Sequence, residues 1–122
     1  MNDAPILVVE DDVDIRECYQ SLLERAGYRV TTATNGQEAL NELSRQRPAL
    51  ILLDLMMPVM SGPEFLEVMR TDHSKDDIPV LIVSAYGEIA DATAGVAGFL
   101  RKPVELEQLL SAVRKYCTPD PN

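Results

Sequence analysis

The sequence predicts an α/β fold: a single doubly wound sheet of five parallel strands with helices on both faces. Two observations indicate it. Short apolar runs recur along the chain, and the segments between them carry apolar residues at helical spacing. The chain has 122 residues, 46% of them hydrophobic, which is enough to build the core of one domain.

Five runs rich in valine, isoleucine and leucine predict the strands. They are Ile6 to Val9, Val30 to Ala33, Leu50 to Leu53, Val80 to Val83 and the less regular Gly98 to Leu100. Three of the runs lack polar alternation, as expected when helices cover both faces of a parallel sheet. Ligands of such sheets bind beyond the carboxyl ends of the strands, so functional residues should follow the strands directly.

Apolar residues at helical spacing predict the helices. The first is marked by Ile15, Tyr19, Leu22, Leu23 and Ala26, the second by Ala39, Leu40 and Leu43, the third by Phe65, Leu66 and Met69, and the last by Leu106, Leu109, Leu110, Val113 and Tyr116. Gly27 should end the first helix, and Asp12 should cap its start. The fourth crossover, between Ser84 and Phe99, is rich in glycine and alanine and only faintly periodic, so its helix has the weakest support of the five.

Composition excludes several classes of function. The formal net charge is -9, which repels nucleic acid phosphates, so we expect no direct nucleic acid binding. No apolar stretch is long enough to cross a bilayer, and the first residues lack a basic signal region, so a cytoplasmic protein without membrane contact is expected. Cys18 and Cys117 have no metal-ligand spacing and are interpreted as ordinary thiols.

Polar residues stand where the predicted strands end. The first strand runs into Glu10, Asp11 and Asp12, and the third runs into Asp54. The fourth runs into Ser84, and the fifth is followed by Lys102 and Pro103.

Carboxylates from two neighbouring strands would repel one another unless a cation compensates them. Mg²⁺ suits such a sparse oxygen site, whereas the absence of nearby histidine or thiolate makes zinc improbable. A carboxylate can also attack phosphorus to form an acyl phosphate, with the metal and Lys102 supplying positive charge.

Four segments together resemble the receiver domain of two-component response regulators, the CheY-like family. They are Ile6-Leu-Val-Val-Glu-Asp-Asp12, Leu52-Leu-Asp-Leu-Met-Met-Pro-Val-Met-Ser-Gly62, Val83-Ser-Ala85 and Phe99-Leu-Arg-Lys-Pro103. The resemblance spans nearly the whole chain and implies a flavodoxin-like sheet in the order 2-1-3-4-5. Only 17 residues separate Ser84 from Lys102, about four fewer than is usual in the family, or roughly one helical turn, so the fourth helix should be short or irregular.

The resemblance also implies a role for each site residue. Asp54 would be the phosphoacceptor, and the metal, Mg²⁺ or Mn²⁺, would be held by Asp54, Glu10, Asp11 and the backbone carbonyl of Met56. Asp11 would touch the ion directly, and Glu10 would act through water. Ser84 would be the switch hydroxyl, Phe99 the aromatic that moves with it, and Lys102 the base that pairs with the phosphoryl group. The Lys102-Pro103 bond would be cis.

The expected function is a phosphorylation-dependent signalling switch rather than an enzyme. Its partners would be a histidine kinase or phosphotransfer protein and a downstream protein or fused output domain. Residues 1-117 would form the receiver domain, and 118-122 a disordered tail or the start of a linker.

Two other functions fit parts of the sequence. A degenerate receiver could act as a phosphorylation-independent interaction module, but the intact Asp54 and Lys102 argue against it. A metal-dependent phosphohydrolase could use similar aspartyl-phosphate chemistry. Such an enzyme needs a second acid close after the first, and this sequence has Leu55 and Met56 there.

Overall fold

The computed structural model describes residues 4–85 and 96–117, and within them five strands form one parallel sheet. The strands are β1 (Ile6–Val9), β2 (Val30–Ala33), β3 (Leu50–Leu53), β4 (Val80–Ser84) and β5 (Gly98–Arg101). Their order, β2-β1-β3-β4-β5, confirms the predicted topology. The bounds of the first three strands agree with the sequence patterns, while β4 and β5 each extend one residue further.

The register of the sheet brings the ends of β1 and β3 to the same level. Val9, the last residue of β1, lies opposite Ala33 of β2 and Leu53 of β3. Leu53 in turn lies opposite Ile82 of β4. The residues that follow β1 and β3 therefore leave the sheet side by side.

Helices cover both faces of this sheet. They are α1 (Val13–Arg25), α2 (Gly36–Arg45), α3 (Gly62–Met69) and α4 (Leu106–Arg114), with a short 3-10 turn at His73–Lys75. The four helices that the periodic patterns predicted are thus confirmed. The predicted helix of the fourth crossover and the predicted tail, 118–122, lie outside the described residues.

The start of α1 is fixed by a side-chain cap. Asp12 Oδ1 accepts hydrogen bonds from the main-chain N–H groups of Asp14, at 2.9 Å, and Ile15, at 3.1 Å. These bonds satisfy two of the amide donors that a helix leaves free at its start. At the other end Gly27 adopts a φ of 99°, the left-handed conformation that commonly follows a helix. Both predicted boundary signals are confirmed.

Alternate residues of the central strands supply two hydrophobic cores, one on each face. Leu7 and Val9 of β1 pack towards α2 and α3, whereas Ile6 and Val8 pack towards α1 and α4. β1, β3 and β4 are buried along their whole length, as the apolar runs predicted.

Two tyrosine hydroxyls fasten the end of the described chain to the sheet. Tyr28 Oη donates to the carbonyl of Cys117 at 3.3 Å, and Tyr116 Oη donates to the carbonyl of Ala97 at 3.1 Å. Cys117 is buried, and its pKa is raised to about 11 by that burial. The last turn of the described chain is therefore held at two points.

Within residues 4–85 and 96–117, no helix has the length and apolar character needed to cross a membrane.

Candidate functional site

Three carboxylates meet at the carboxyl end of the sheet. The main chain continues the parallel ladder for one residue beyond each strand: Glu10 N donates to Ala33 O, and Asp54 N donates to Val9 O, each at 3.0 Å. Glu10, Asp11 and Asp54 each offer a carboxylate oxygen, and these three atoms lie within 4.8 Å of one another. Glu10 and Asp54 are buried, and Asp11 is exposed.

Lys102 reaches into this cluster from the segment after β5. Its Nζ donates to Glu10 Oε1 at 2.8 Å and lies 3.7 Å from Asp54 Oδ1. Burial alone would lower the pKa of Lys102, but the hydrogen bond to Glu10 and the two carboxylate charges raise it above its usual value. Lys102 therefore stays charged and offsets part of the repulsion. The peptide bond to Pro103 is cis, as the family resemblance implied.

The two buried carboxyl groups are harder to ionise than exposed ones. Burial, together with the charge of Asp54, raises the pKa of Glu10 to about 7, against the opposing effect of Lys102. Burial also raises the pKa of Asp54, although Lys102 and the N–H of Met56 favour its anion. Excess negative charge at this end of the sheet is thus only partly compensated.

The remaining predicted site residues are buried to different degrees. Ser84 ends β4 and is fully buried, and its carbonyl accepts a 2.9 Å bond from Lys102 N. Phe99, opposite Ile82 in the register, is half-buried against the core that faces α2 and α3. The main-chain N–H of Met56 bonds the Asp54 carboxylate, while its side chain is exposed.

The loop from 55 to 61 is held by close main-chain packing. Gly36 N donates to Met60 O at 2.9 Å, and Gly62 N donates to Leu55 O at 3.0 Å. A Cβ on Gly36 would lie 2.6 Å from Met60 Cγ, and one on Gly62 would lie 2.6 Å from Asp54 O. Neither position can carry a side chain without moving the segment that follows Asp54.

A tight turn gives this loop its shape. Met60 N donates to Pro58 O at 2.7 Å, and Val59 between them has a φ of 68°. This is a γ-turn with positive φ, which is a strained conformation for a β-branched residue.

The donor set fits a hard divalent cation. All three clustered groups are carboxylates, and Mg²⁺ prefers oxygen ligands and is commonly held by one or two carboxylates together with water. A cation there would also favour the ionised forms of Glu10 and Asp54, whose pKa values are raised chiefly by burial. The residues present therefore suit Mg²⁺ or Mn²⁺.

Two residues beside the cluster were not singled out from the sequence. Arg16 of α1 donates from Nη1 to the carbonyls of Glu10, at 3.0 Å, and Asp11, at 3.5 Å. Tyr19 is buried and lines both a narrow space shared with Glu10 and Asp54 and an apolar groove that Lys102 borders. In the sequence Tyr19 stands out only as one of the apolar residues at helical spacing. Arg16 belongs to no motif that would mark it as a site residue.

The sequence of the chain matches a known family and its relatives. The family model described as "Response regulator receiver domain" matches residues 6–114. The response regulator MprA of Mycolicibacterium vanbaalenii is 38% identical over 94% of this chain and 52% of its own length. An uncharacterized 14.6 kDa protein of Leptolyngbya boryana is 37% identical over 95% of this chain and 92% of its own. The chain thus spans about half the length of the MprA relatives.

Solved structures show the same fold. The chemotaxis protein CheY4 of Vibrio cholerae, 32% identical, superimposes with a TM-score of 0.87 over 95% of this chain and all of that one. The response regulator TrrA of Thermotoga maritima, solved in complex with Mg²⁺-BeF, is 30% identical, with a TM-score of 0.84 over 93% of this chain and 99% of that one. With the matching family model and the predicted sheet order, these likenesses show that the chain belongs to the receiver domain family of two-component response regulators.

Proposed function

We propose that Asp54 accepts a phosphoryl group from the phosphohistidine of a histidine kinase or phosphotransfer protein, in a reaction that depends on Mg²⁺. The resulting acyl phosphate changes the affinity of the domain for a downstream partner. The observation that carries this proposal is the meeting of three carboxylates, Asp54 among them, and Lys102 at one end of the sheet.

The chemical step uses the Asp54 carboxylate as nucleophile. One of its oxygens attacks the phosphorus, an O–P bond forms, and the N–P bond of phosphohistidine breaks, leaving its electron pair on the imidazole nitrogen. Asp54 must be ionised to attack. Lys102, 3.7 Å away, and the Met56 N–H both favour the anion and support that state against burial.

The phosphoryl group brings further negative charge into an acidic site. Glu10, Asp11, Asp54 and the Met56 carbonyl would hold the metal, which supplies positive charge to the transferred group when bound. The complex of TrrA with Mg²⁺-BeF supports this ligand chemistry, since that protein is a close structural neighbour.

Lys102 is proposed to serve the product more than the transfer. In the unmodified site its ammonium is bonded to Glu10, and a phosphoryl group of charge about -1.5 to -2 on Asp54 offers it a stronger partner. Ser84, buried at the end of β4, would donate its hydroxyl to the same group, and Phe99 would turn inward with it. These rearrangements make the domain a switch.

The phosphoryl donor and the downstream partner are inferred from the family rather than from particular residues of this chain. Receiver domains are regulatory modules, and the chain spans about half the length of relatives such as MprA. The partner reading the switch is therefore proposed either as a downstream protein or as a fused output domain, with the protein acting in the cytoplasm.

Intact-mass spectrometry after treatment with acetyl phosphate tests the proposal. Wild type should gain one phosphoryl mass with Mg²⁺ and none when EDTA removes it, and Asp54→Asn should gain none. Asp77→Asn, an exposed carboxylate at the opposite end of the sheet, is the matched control and should behave as wild type. Equal modification of Asp54→Asn and wild type would reject Asp54 as the acceptor and favour a phosphorylation-independent interaction module.

A further inference from the structure

We infer that Arg16 is a positioning residue for the metal site: its guanidinium holds the main chain of Glu10 and Asp11 in the geometry that aims their carboxylates at the cation. This inference rests on the proposed metal site. The two hydrogen bonds of the Arg16 side chain go to the main-chain carbonyls of Glu10 and Asp11 rather than to their carboxylates.

The contacts of Arg16 reach both acidic residues. Its Nη1 lies 3.0 Å from the carbonyl oxygen of Glu10, a good hydrogen bond, and 3.5 Å from that of Asp11, a weaker one. Both bonds come from the single Nη1 of a planar guanidinium, whose N–H donors are fixed in a rigid fork, whereas the three donors of a lysine ammonium rotate on a flexible stem. The peptide between Glu10 and Asp11 is therefore restrained from the helix side.

The helix itself makes this restraint rigid. Arg16 N donates to Asp12 O at 2.9 Å, within the first turn of α1, whose start Asp12 caps. Helical side chains lean towards the helix N-terminus, which directs Arg16 back over residues 10 and 11. The Asp12 cap and the Arg16 side chain therefore both fix residues 10 to 12 against the first turn of α1.

Restraint of the main chain matters because Mg²⁺ demands near-ideal geometry. It is bound at short distances with little tolerance in ligand direction. Asp11 is exposed, so packing alone does not fix its position, and the direction of its carboxylate depends on the peptide that carries it. Partners that orient metal ligands without touching the metal commonly change affinity by about 10- to 100-fold when they are removed.

The charge of Arg16 also acts on the neighbouring helix. It contributes to lowering the pKa of Glu38, whose main cause is the hydrogen bond that Glu38 accepts from Thr34 N at 2.9 Å. Glu38 lies in the first turn of α2, so the positive charge of Arg16 acts on the start of that helix as well as on the loop after β1.

The charge of Arg16 and its positioning role predict opposite outcomes. A positive charge beside a cation site weakens cation binding, so removal of charge alone would strengthen Mg²⁺ binding. Loss of positioning would weaken it. The sign of the change therefore distinguishes the two roles without any measurement of phosphorylation.

The experiment is a Mg²⁺ titration followed by amide resonances, on wild type, Arg16→Met, Arg16→Lys and the control Arg25→Met. The Arg25→Met substitution removes the same charge at the other end of α1, about 14 Å from Arg16 along the helix axis. We expect Arg16→Met to raise the Mg²⁺ Kd by about tenfold, Arg16→Lys to raise it less, and Arg25→Met to leave it within about twofold. A Kd for Arg16→Met that is unchanged or lower would overturn the inference.

A metal-free measurement separates this inference from the metal proposal. The carbonyl-carbon resonances of Glu10 and Asp11 should move in Arg16→Met and stay in place in Arg25→Met. If wild type shows no response to Mg²⁺, the metal site itself is wrong. If wild type binds but these resonances and the Kd do not change in Arg16→Met, the metal site stands and Arg16 has no positioning role.

Discussion

The two ends of the sheet carry charge in different ways. At the carboxyl end, Glu10 and Asp54 are buried and share the single ammonium of Lys102. At the opposite end, Arg47 pairs with Asp77 at the surface, with side-chain exposures of 49% and 81%. The first arrangement leaves repulsion that a ligand can relieve, whereas the second is already satisfied by solvent. The proposed response to a cation and to a phosphoryl group is thus assigned to the end whose charges are less well compensated.

The largest effect should come from removing the shared cation. Lys102→Met leaves Glu10 and Asp54 without their common partner, and we expect the metal-free protein at pH 8 to lose about 3 kcal/mol of unfolding free energy. Saturating Mg²⁺ should recover much of that loss, because it replaces the missing positive charge. Urea titrations with and without Mg²⁺ measure both. An equal loss under the two conditions would show that Lys102 stabilises the fold through packing alone.

A smaller difference should separate two glycines at the two ends. The Cβ of Gly36→Ala would lie 2.6 Å from Met60 Cγ and 2.9 Å from Met60 O, beside the loop that follows Asp54. That of Gly98→Ala would lie 2.9 Å from Leu81 Cδ1, the flexible end of a side chain, and 3.6 Å from Tyr116 Oη, an ordinary van der Waals contact. We expect a cost of about 2 kcal/mol for the first and below about 1 kcal/mol for the second.

Thermal melts compare these two variants directly. Gly36→Ala should also shift the amide resonances of Met56 and Met60, and Gly98→Ala should not. Equal costs would mean that the loop after Asp54 yields as easily as a leucine side chain.

The pH dependence of stability should differ between wild type and Glu10→Gln. Because the pKa of Glu10 is raised from 4.5 to about 7 in the folded protein, its stabilising contribution is complete below pH 4.5 and is lost as the pH rises through about 7. Metal-free wild type should therefore lose stability between pH 5 and 8 more steeply than Glu10→Gln. Urea midpoints across this range test it, and parallel curves would show that Glu10 ionises without penalty.

The smallest effect belongs to the surface pair at the opposite end. A double-mutant cycle of Arg47→Ala and Asp77→Ala should give a coupling energy below about 0.5 kcal/mol, further reduced by salt. A coupling of 2 kcal/mol or more would remove the contrast between the two ends.

Local patterns were sufficient for the sheet and its helices. The five strands, the four described helices and the Asp12 cap depend on residues close in sequence and were predicted from them, whereas the strand order was implied by the family resemblance. The convergence of Glu10, Asp11 and Asp54 also followed, because parallel strands bring their carboxyl ends to one edge. These features need only periodicity and topology.

Side-chain partners across long separations could not be predicted in the same way. The bond between Lys102 and Glu10 joins residues 92 positions apart and depends on rotamers that no local pattern encodes. The bonds from Arg16 to the loop carbonyls involve main-chain groups, which are present at every position and so leave no mark on the sequence. The close approach of Gly36 to Met60 likewise arises only when two loops meet.

The two tyrosine hydroxyls that hold the last turn have a consequence for spectroscopy. Tyr28 and Tyr116 fasten main-chain carbonyls of Cys117 and Ala97, so the end of α4 has little freedom to rotate against the sheet. A rigid spin label or fluorophore placed on the exposed Lys115 would therefore turn with the domain as a whole. Its anisotropy would report the tumbling of the sheet rather than the fraying of a helix end.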